Sequence, residues 1–172
     1  MPTSFPMSIP HWPTGTQTQA TMDTAIVTPV NDLAAATVGA TGTSYTPALQ
    51  ATTTNPTLGT GSAVVGNYIQ IGKLVIVHTS INFGTSGTAA GSGTYSITLP
   101  VAPANPSTSS IVIGYGRIVC AGTGHLAVAQ WTNTGTMNFK CEGTSSLSVG
   151  NATPGAWTAN DFLFMTFIYV AA

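Results

Sequence analysis

The stretch NPTLGTGSAVVGNYIQIGK, residues 55–73, sets Gly61 and Gly66 at the GxxxxG spacing of a phosphate-binding loop. Such a loop works because backbone N–H groups and a following helix N-terminus face the phosphates, while a Lys and a Ser or Thr reach phosphate and magnesium. Asn67 and Tyr68 stand where the Lys and hydroxyl should be. After them Tyr68 and Gln70 alternate with Ile69 and Ile71, which is the period of a strand. A dinucleotide loop fails on the same ground, since it too needs a helix after its glycines. No cofactor is expected. The glycines read as turn residues: Gly59 and Gly61 turn the chain, Gly66 permits a bend or bulge, and Gly72 makes the tight turn before Lys73.

Other chemistry is as thin. Hydrolysis by paired carboxylates needs two acids across a cleft, and the acids are Asp23, Asp32, Glu142 and Asp161. The first two fall in a segment that reads as helical, and nothing in the pattern pairs Glu142 with Asp161. His11, His78 and His125 lack metal-ligand spacing. No motif surrounds His78 or His125 as a triad would require, so each reads as an exposed or strand-face polar residue. Arg117 in GYGRIV and Lys140 in FKCE read as surface charges of strands, where a cross-strand pair contributes under about 1 kcal/mol. Tyr115, Trp131 and Trp157 are the candidate platforms for a sugar ring, although core packing is the commoner use of such aromatics. No catalytic or metal-binding residue is nominated, and an enzyme is not expected.

Composition narrows the classes further. The chain has 172 residues, which suits one domain with an appended arm. Charged residues make up 4%, with three Lys or Arg, four Asp or Glu and a net charge of -1. A soluble globular chain carries about 25%. Such a surface must be wetted by Thr, Ser, Asn and Gly, or buried against other subunits. Nucleic acid binding needs clustered cations, whereas Lys73, Arg117 and Lys140 are scattered. The start, MPTSFPMSIPHWPTG, has neither the basic region nor the apolar core of a signal peptide. FLFMTFIYVAA, at 162–172, is too short to span a bilayer, which takes about 20 residues. Neither export nor membrane insertion is expected. Cys120 and Cys141 are too few for a disulfide framework and read as reduced core or strand residues.

Three regions position these residues. Residues 1–21 combine Pro2, Pro6, Pro10 and Pro13 with Phe5, Ile9 and Trp12, an extended arm with apolar anchors and no charge. In 22–38, Thr28 can cap a short helix, Pro29 suits its first position, and Gly39 follows as a stop. Val30, Leu33, Ala34 and Val38 would form its narrow apolar stripe. The domain boundary is placed between 42 and 43. From Thr43 onward the pattern is strand after strand. KLVIVHTSINF turns Val77, Thr79, Ile81 and Phe83 one way and His78, Ser80 and Asn82 the other; TYSITLP puts Tyr95, Ile97 and Leu99 inward. IVIGYGRIVC, HLAVAQW and TMNFKCE follow, with turn residues every 8–12 positions. The fold expected is all-β, a jelly-roll-like antiparallel β-sandwich.

The last strand, DFLFMTFIYV, is apolar on both faces: Phe162, Phe164, Ile168 and Val170 on one, Leu163, Met165, Phe167 and Tyr169 on the other. An antiparallel strand with one wet face alternates with polar residues. Either loops cover a central strand here, or one face packs the core and the other a neighbouring subunit, and the missing charge favours the second. Leu163, Met165, Phe167 and Tyr169 are assigned to that interface, with Val30 and Leu33 joining as a small stalk.

SYTPALQATTTNPTLGTGSAVVGNYIQIGKLVIVHTSINFGTSGTAAGSGTYSITLPVAP, residues 44–103, resembles a module of minor tail, tail-fibre and head-decoration proteins of bacteriophages, especially those of actinobacteria. The likeness is carried by Tyr45 and Pro47, NPTLG at 55–59, GNYIQIGK at 66–73, INFG at 81–84 and GTYSITLP at 93–100. It implies a β-sandwich, often trimeric, displayed on a virion and without catalysis. A homotrimer is therefore expected, assembled in the host cytoplasm and gripping the major capsid or tail protein through Phe5, Ile9 and Trp12. A module that binds host-surface glycan is the alternative.

Overall fold

The computed structural model describes residues 42–104, 111–131, 136–141 and 148–172. The chain divides into Met1–Gly39 and Ala40–Ala172, and every described residue belongs to the second unit. The expected arm anchors Phe5, Ile9 and Trp12, the helix with Val30 and Leu33, and the residues His11, Asp23, Asp32 and Glu142 lie outside the described residues.

The strands are β1 (Thr43–Tyr45), β2 (Leu49–Ala51), β3 (Ala63–Ile71), β4 (Leu74–Asn82), β5 (Tyr95–Thr98), β6 (Ile111–Cys120), β7 (Thr123–Trp131), β8 (Thr136–Cys141) and β9 (Phe162–Val170). All pair antiparallel in one sheet of order β1-β3-β4-β9-β6-β7-β8-β5-β2. No helix occurs among the described residues.

The two edge strands are neighbours in the chain. Only Thr46, Pro47 and Ala48 join β1 to β2, so at about 3.8 Å per residue Tyr45 and Leu49 lie within roughly 15 Å. The sheet must therefore curl until its ends approach. Its concave side closes on one core that holds Leu49 and Ile97 of β2 and β5 together with Val75 and Val77 of β4 and Leu163 and Phe167 of β9. Pro47, with no N–H to donate, sits where the ladder breaks and the chain passes from one end of the sheet to the other.

Alternation follows the sequence closely in β4, where Val75, Val77, Thr79 and Ile81 are buried and Leu74, His78 and Asn82 are exposed. Tyr95 and Ile97 are buried as expected, and Leu99 packs partly against the same core. Two tight hairpins set the registers. Gly72, at φ 58°, opens the turn between β3 and β4; Ala121 and Gly122, at φ 49° and 74°, form the two-residue turn between β6 and β7.

Gly66 is not a bulge. The β3–β4 register runs unbroken from Ala63↔Asn82 to Ile71↔Leu74, and the irregularity in the sheet lies in β6 between Val112 and Gly114. Gly66 is needed for close approach instead: a Cβ there would lie 2.5 Å from Cε1 of Tyr45 and 2.8 Å from Cδ of Pro47. The β1–β2 corner packs directly on that gap.

Candidate assembly surface

On the convex side, the register aligns side chains in rows across β3, β4, β9, β6 and β7. One row runs Val65, Ser80, Phe164, Arg117, Leu126, and the next runs Asn67, His78, Thr166, Tyr115, Val128. Beyond these lie Ile69, Ile76 and Ile168, then Ile71, Leu74 and Val170. Every large apolar side chain that is exposed among the described residues belongs to these five strands and to this face, with Ile168 48% and Phe164 41% exposed. Strands about 4.8 Å apart and about 3.4 Å per residue give the face a footprint of roughly 19 Å by 30 Å. Scattered exposed hydrophobes need no explanation, but their gathering on one sheet face is the kind of surface at which proteins interact.

The face has little charge. Arg117 stands among apolar neighbours, with its guanidinium lying over Gly124, and Lys140 continues the polar row at its β8 end. Within that row His78 Nδ1 lies 3.2 Å from Thr166 Oγ1, and the imidazole meets the Phe164 ring edge-on at 4.6 Å. An open groove of about 580 Å³ runs beside Tyr115, lined by Val112, Ile113, Gly114, Thr166, Phe167 and Ile168.

The structure exchanges the two faces of the last strand. Leu163, Met165 and Phe167 are fully buried and Tyr169 nearly so, so the four residues assigned to a subunit interface are core residues. The physical reason is register. Leu163 pairs with Ile81 and Ile118, both buried, and the inward parity of β4 carries over to β9. The face left outward is that of Phe164, Thr166, Ile168 and Val170.

The three aromatic platforms separate likewise. Trp131 and Trp157 are buried at 6% and 5% exposure, whereas Tyr115 is 61% exposed. Trp157 packs against Phe83 and Tyr95 and donates from Nε1 to the Gly150 carbonyl at 2.9 Å. Neither tryptophan is placed to stack on a sugar; both serve the core. Trp131 shares the inward parity of Ala127 and Ala129, a pattern legible in HLAVAQW, whereas Trp157 lies in a loop whose period gives no sign of its burial.

Asp161 is the one acid among the described residues and is 3% exposed. Its Oδ2 accepts from Thr158 N at 2.6 Å, Ala121 N at 3.1 Å and Thr158 Oγ1 at 3.2 Å. It therefore locks the β6–β7 turn to the start of β9, a structural task. Cys120 and Cys141 are buried and form no disulfide. Burial pushes the Cys141 thiol up to about 11, with the nearby Cys120 adding to the shift. Burial, then Asp161, raises Cys120. Both are held as inert thiols. The described residues contain no group of three or more His, Cys, Asp or Glu placed to hold a metal ion.

Comparison of the chain with known protein families, with characterised proteins and with solved structures finds no match.

Proposed function

We propose that this chain is a non-enzymatic structural protein of a bacteriophage virion. It forms a homotrimer of jelly-roll-like β-sandwiches, held to the capsid or tail by the arm bearing Phe5, Ile9 and Trp12 and displayed on the particle surface. One observation carries the assembly: the exposed large apolar side chains gather on a single sheet face of a chain with 4% charged residues. Water-facing surface of that extent invites self-association, and a permanent oligomer is the state in which the face is dry. The virion context is supported by the phage-like motifs of 44–103, several of which fall on working parts of the fold. Tyr45 and Pro47 form the corner packed on Gly66, and GNYIQIGK supplies most of β3 and the turn after it.

Mass measurement in solution and electron micrographs of phage particles labelled with an antibody to this chain test the two halves separately. Three copies per assembly and label at a fixed place on the particle are expected. A stable, folded monomer removes the trimer, and unlabelled particles remove the virion role.

Tyr115, exposed beside the open groove, favours one second reading, a module that binds host-surface glycan. The two uses compete for the same face. Glycan-array binding that disappears in Tyr115→Ala would favour the second reading, and an array without binding would count against it.

A further inference from the structure

We infer that the convex face of β3, β4, β9, β6 and β7 is covered by two further copies of this chain about a three-fold axis lined by β9, so that His78 of one copy lies against Tyr115 of the next. This deepens the trimeric reading above and rests on it.

The occupant follows from what the face offers. Its Lys and Arg side chains among the described residues are Arg117 and, at the borders, Lys140 on β8 and Lys73 in the β3–β4 turn, and no described Asp or Glu lies on it. A partner chosen by charge finds almost nothing to read, whereas another copy brings an equally apolar, equally charge-poor surface. The footprint of roughly 19 Å by 30 Å is on the scale of one side of a stable interface, about 800 Å² per partner once side-chain relief is included.

The number of copies follows from curvature. The sheet curls toward its core, so this face is convex, and two convex faces pressed together touch only along their midline. Three such faces around an axis meet flank to flank. The midline is β9, with β4 and β3 on one side and β6 and β7 on the other. A rotation about an axis parallel to β9 leaves heights unchanged, so each row meets its own row. Ile76 and Ile168 then close near Val112 of the next copy, Ser80 comes to Arg117 beside Phe164, and the polar row closes on itself. Within the polar row, His78 on β4 and Tyr115 on β6 flank Thr166. Bringing the β4 flank of one copy to the β6 flank of the next therefore brings His78 to Tyr115.

The test is a cysteine pair, His78→Cys with Tyr115→Cys, oxidised mildly in the full chain; the native Cys120 and Cys141 are buried and do not compete. Covalent trimers on a non-reducing gel are expected from the double variant, and no cross-linked product from either single variant. A native trimer that yields no cross-link, or one in which a single variant cross-links equally well, overturns the placement and leaves the trimer standing. Covalent dimers without trimers overturn the three-fold arrangement. A native monomer defeats the trimeric reading itself. Should the double variant fail to fold, Ile168→Arg gives an independent readout, because that side chain is 48% exposed and its replacement leaves the core intact. A folded monomer is expected where the unsubstituted chain is a trimer, and an unchanged mass overturns the inference.

Discussion

Replacing Asp161 should damage stability far more than its single carboxylate suggests. Its side chain ties two separate segments, since Oδ2 receives the N–H of Ala121 in the β6–β7 turn and both donors of Thr158. Its own carbonyl accepts from Phe83 N at 2.8 Å, just beyond β4. Asp161→Ala leaves that backbone contact but removes all three side-chain bonds. Hydrogen bonds to a charged acceptor contribute about 1.5–3 kcal/mol each. Water can reach Ala121 and Thr158, both exposed, so each of the three bonds falls back to the ordinary net value of about 1 kcal/mol and the total is about 3 kcal/mol. With a urea m-value of about 2 kcal/mol/M, the midpoint falls by about 1.5 M. Asp161→Asn keeps an oxygen acceptor and loses only charge assistance, so about 1 kcal/mol is expected. Tryptophan fluorescence reports the transition, because Trp131 and Trp157 move from core to water. Protein concentration must be equal across variants, since an assembly unfolds in a concentration-dependent way. The turn also holds Ala121 at φ 49°, so Ala121→Gly should recover about 1 kcal/mol in either background. A midpoint for Asp161→Ala within about 0.3 M of the unsubstituted chain would refute the locking role.

Gly116→Ala should unfold or severely destabilise the chain, by more than about 3 kcal/mol, because its Cβ would lie 2.0 Å from the Phe164 carbonyl oxygen and 2.8 Å from Met165 Cα. Gly72→Ala meets nothing within 4 Å and carries only the left-handed penalty of about 1 kcal/mol; equal losses in thermal melts would contradict the close β6–β9 contact. Stability should also fall in alkali. Burial pushes Tyr95 up to about 12 from 10.0 in the open chain, so the folded state keeps a proton that the unfolded state releases. The contribution is complete below pH 10 and is lost as pH rises from 10 to about 12, at about 1.4 kcal/mol per pH unit. Tyr45, also raised to about 12 chiefly by burial, acts in the same sense. Urea midpoints across that window should fall, and less steeply in Tyr95→Phe. A flat profile would show that the phenols ionise without opening the core.

Much of the sheet is legible in the sequence because half-buried strands write their two environments into alternate residues. KLVIVHTSINF turns Val77 and Ile81 inward and His78 outward, as its period requires. Where that contrast fails, sequence cannot choose a face. In FLFMTFIYV both parities are apolar, and the decision belongs to pairing with Ile81 and Ile118, which lie far away in the chain. One local sign exists. Thr166, the single polar residue of the strand, falls on the face of Phe164 and Ile168, and that is the outward face. Gly66 is illegible for a related reason, since its role depends on Tyr45 and Pro47 packing across from another strand.

The absence of charge and the apolar face belong to one physical arrangement. A chain this poor in Lys, Arg, Asp and Glu keeps water on its surface largely through hydroxyls, many of which lie in loops outside the five strands of the convex face. The 52–62 and 84–94 loops run together through bridges Thr54↔Ser92, Thr57↔Ala89 and Thr60↔Ser86, and they expose Thr54, Thr57, Thr60 and Ser86. Hydroxyls wet a surface without attracting or repelling a neighbour over distance. Mixed charge would hold copies apart or orient them by long-range forces that salt screens. With so few charges neither has much scope, so the proposed trimer should be driven chiefly by burial of the convex face and should weaken little with ionic strength. The glycines that first suggested a nucleotide site serve that arrangement. Gly66 seats the corner at which the sheet's two edge strands meet, and the curl makes the outer face convex, the shape from which the three-fold arrangement is proposed.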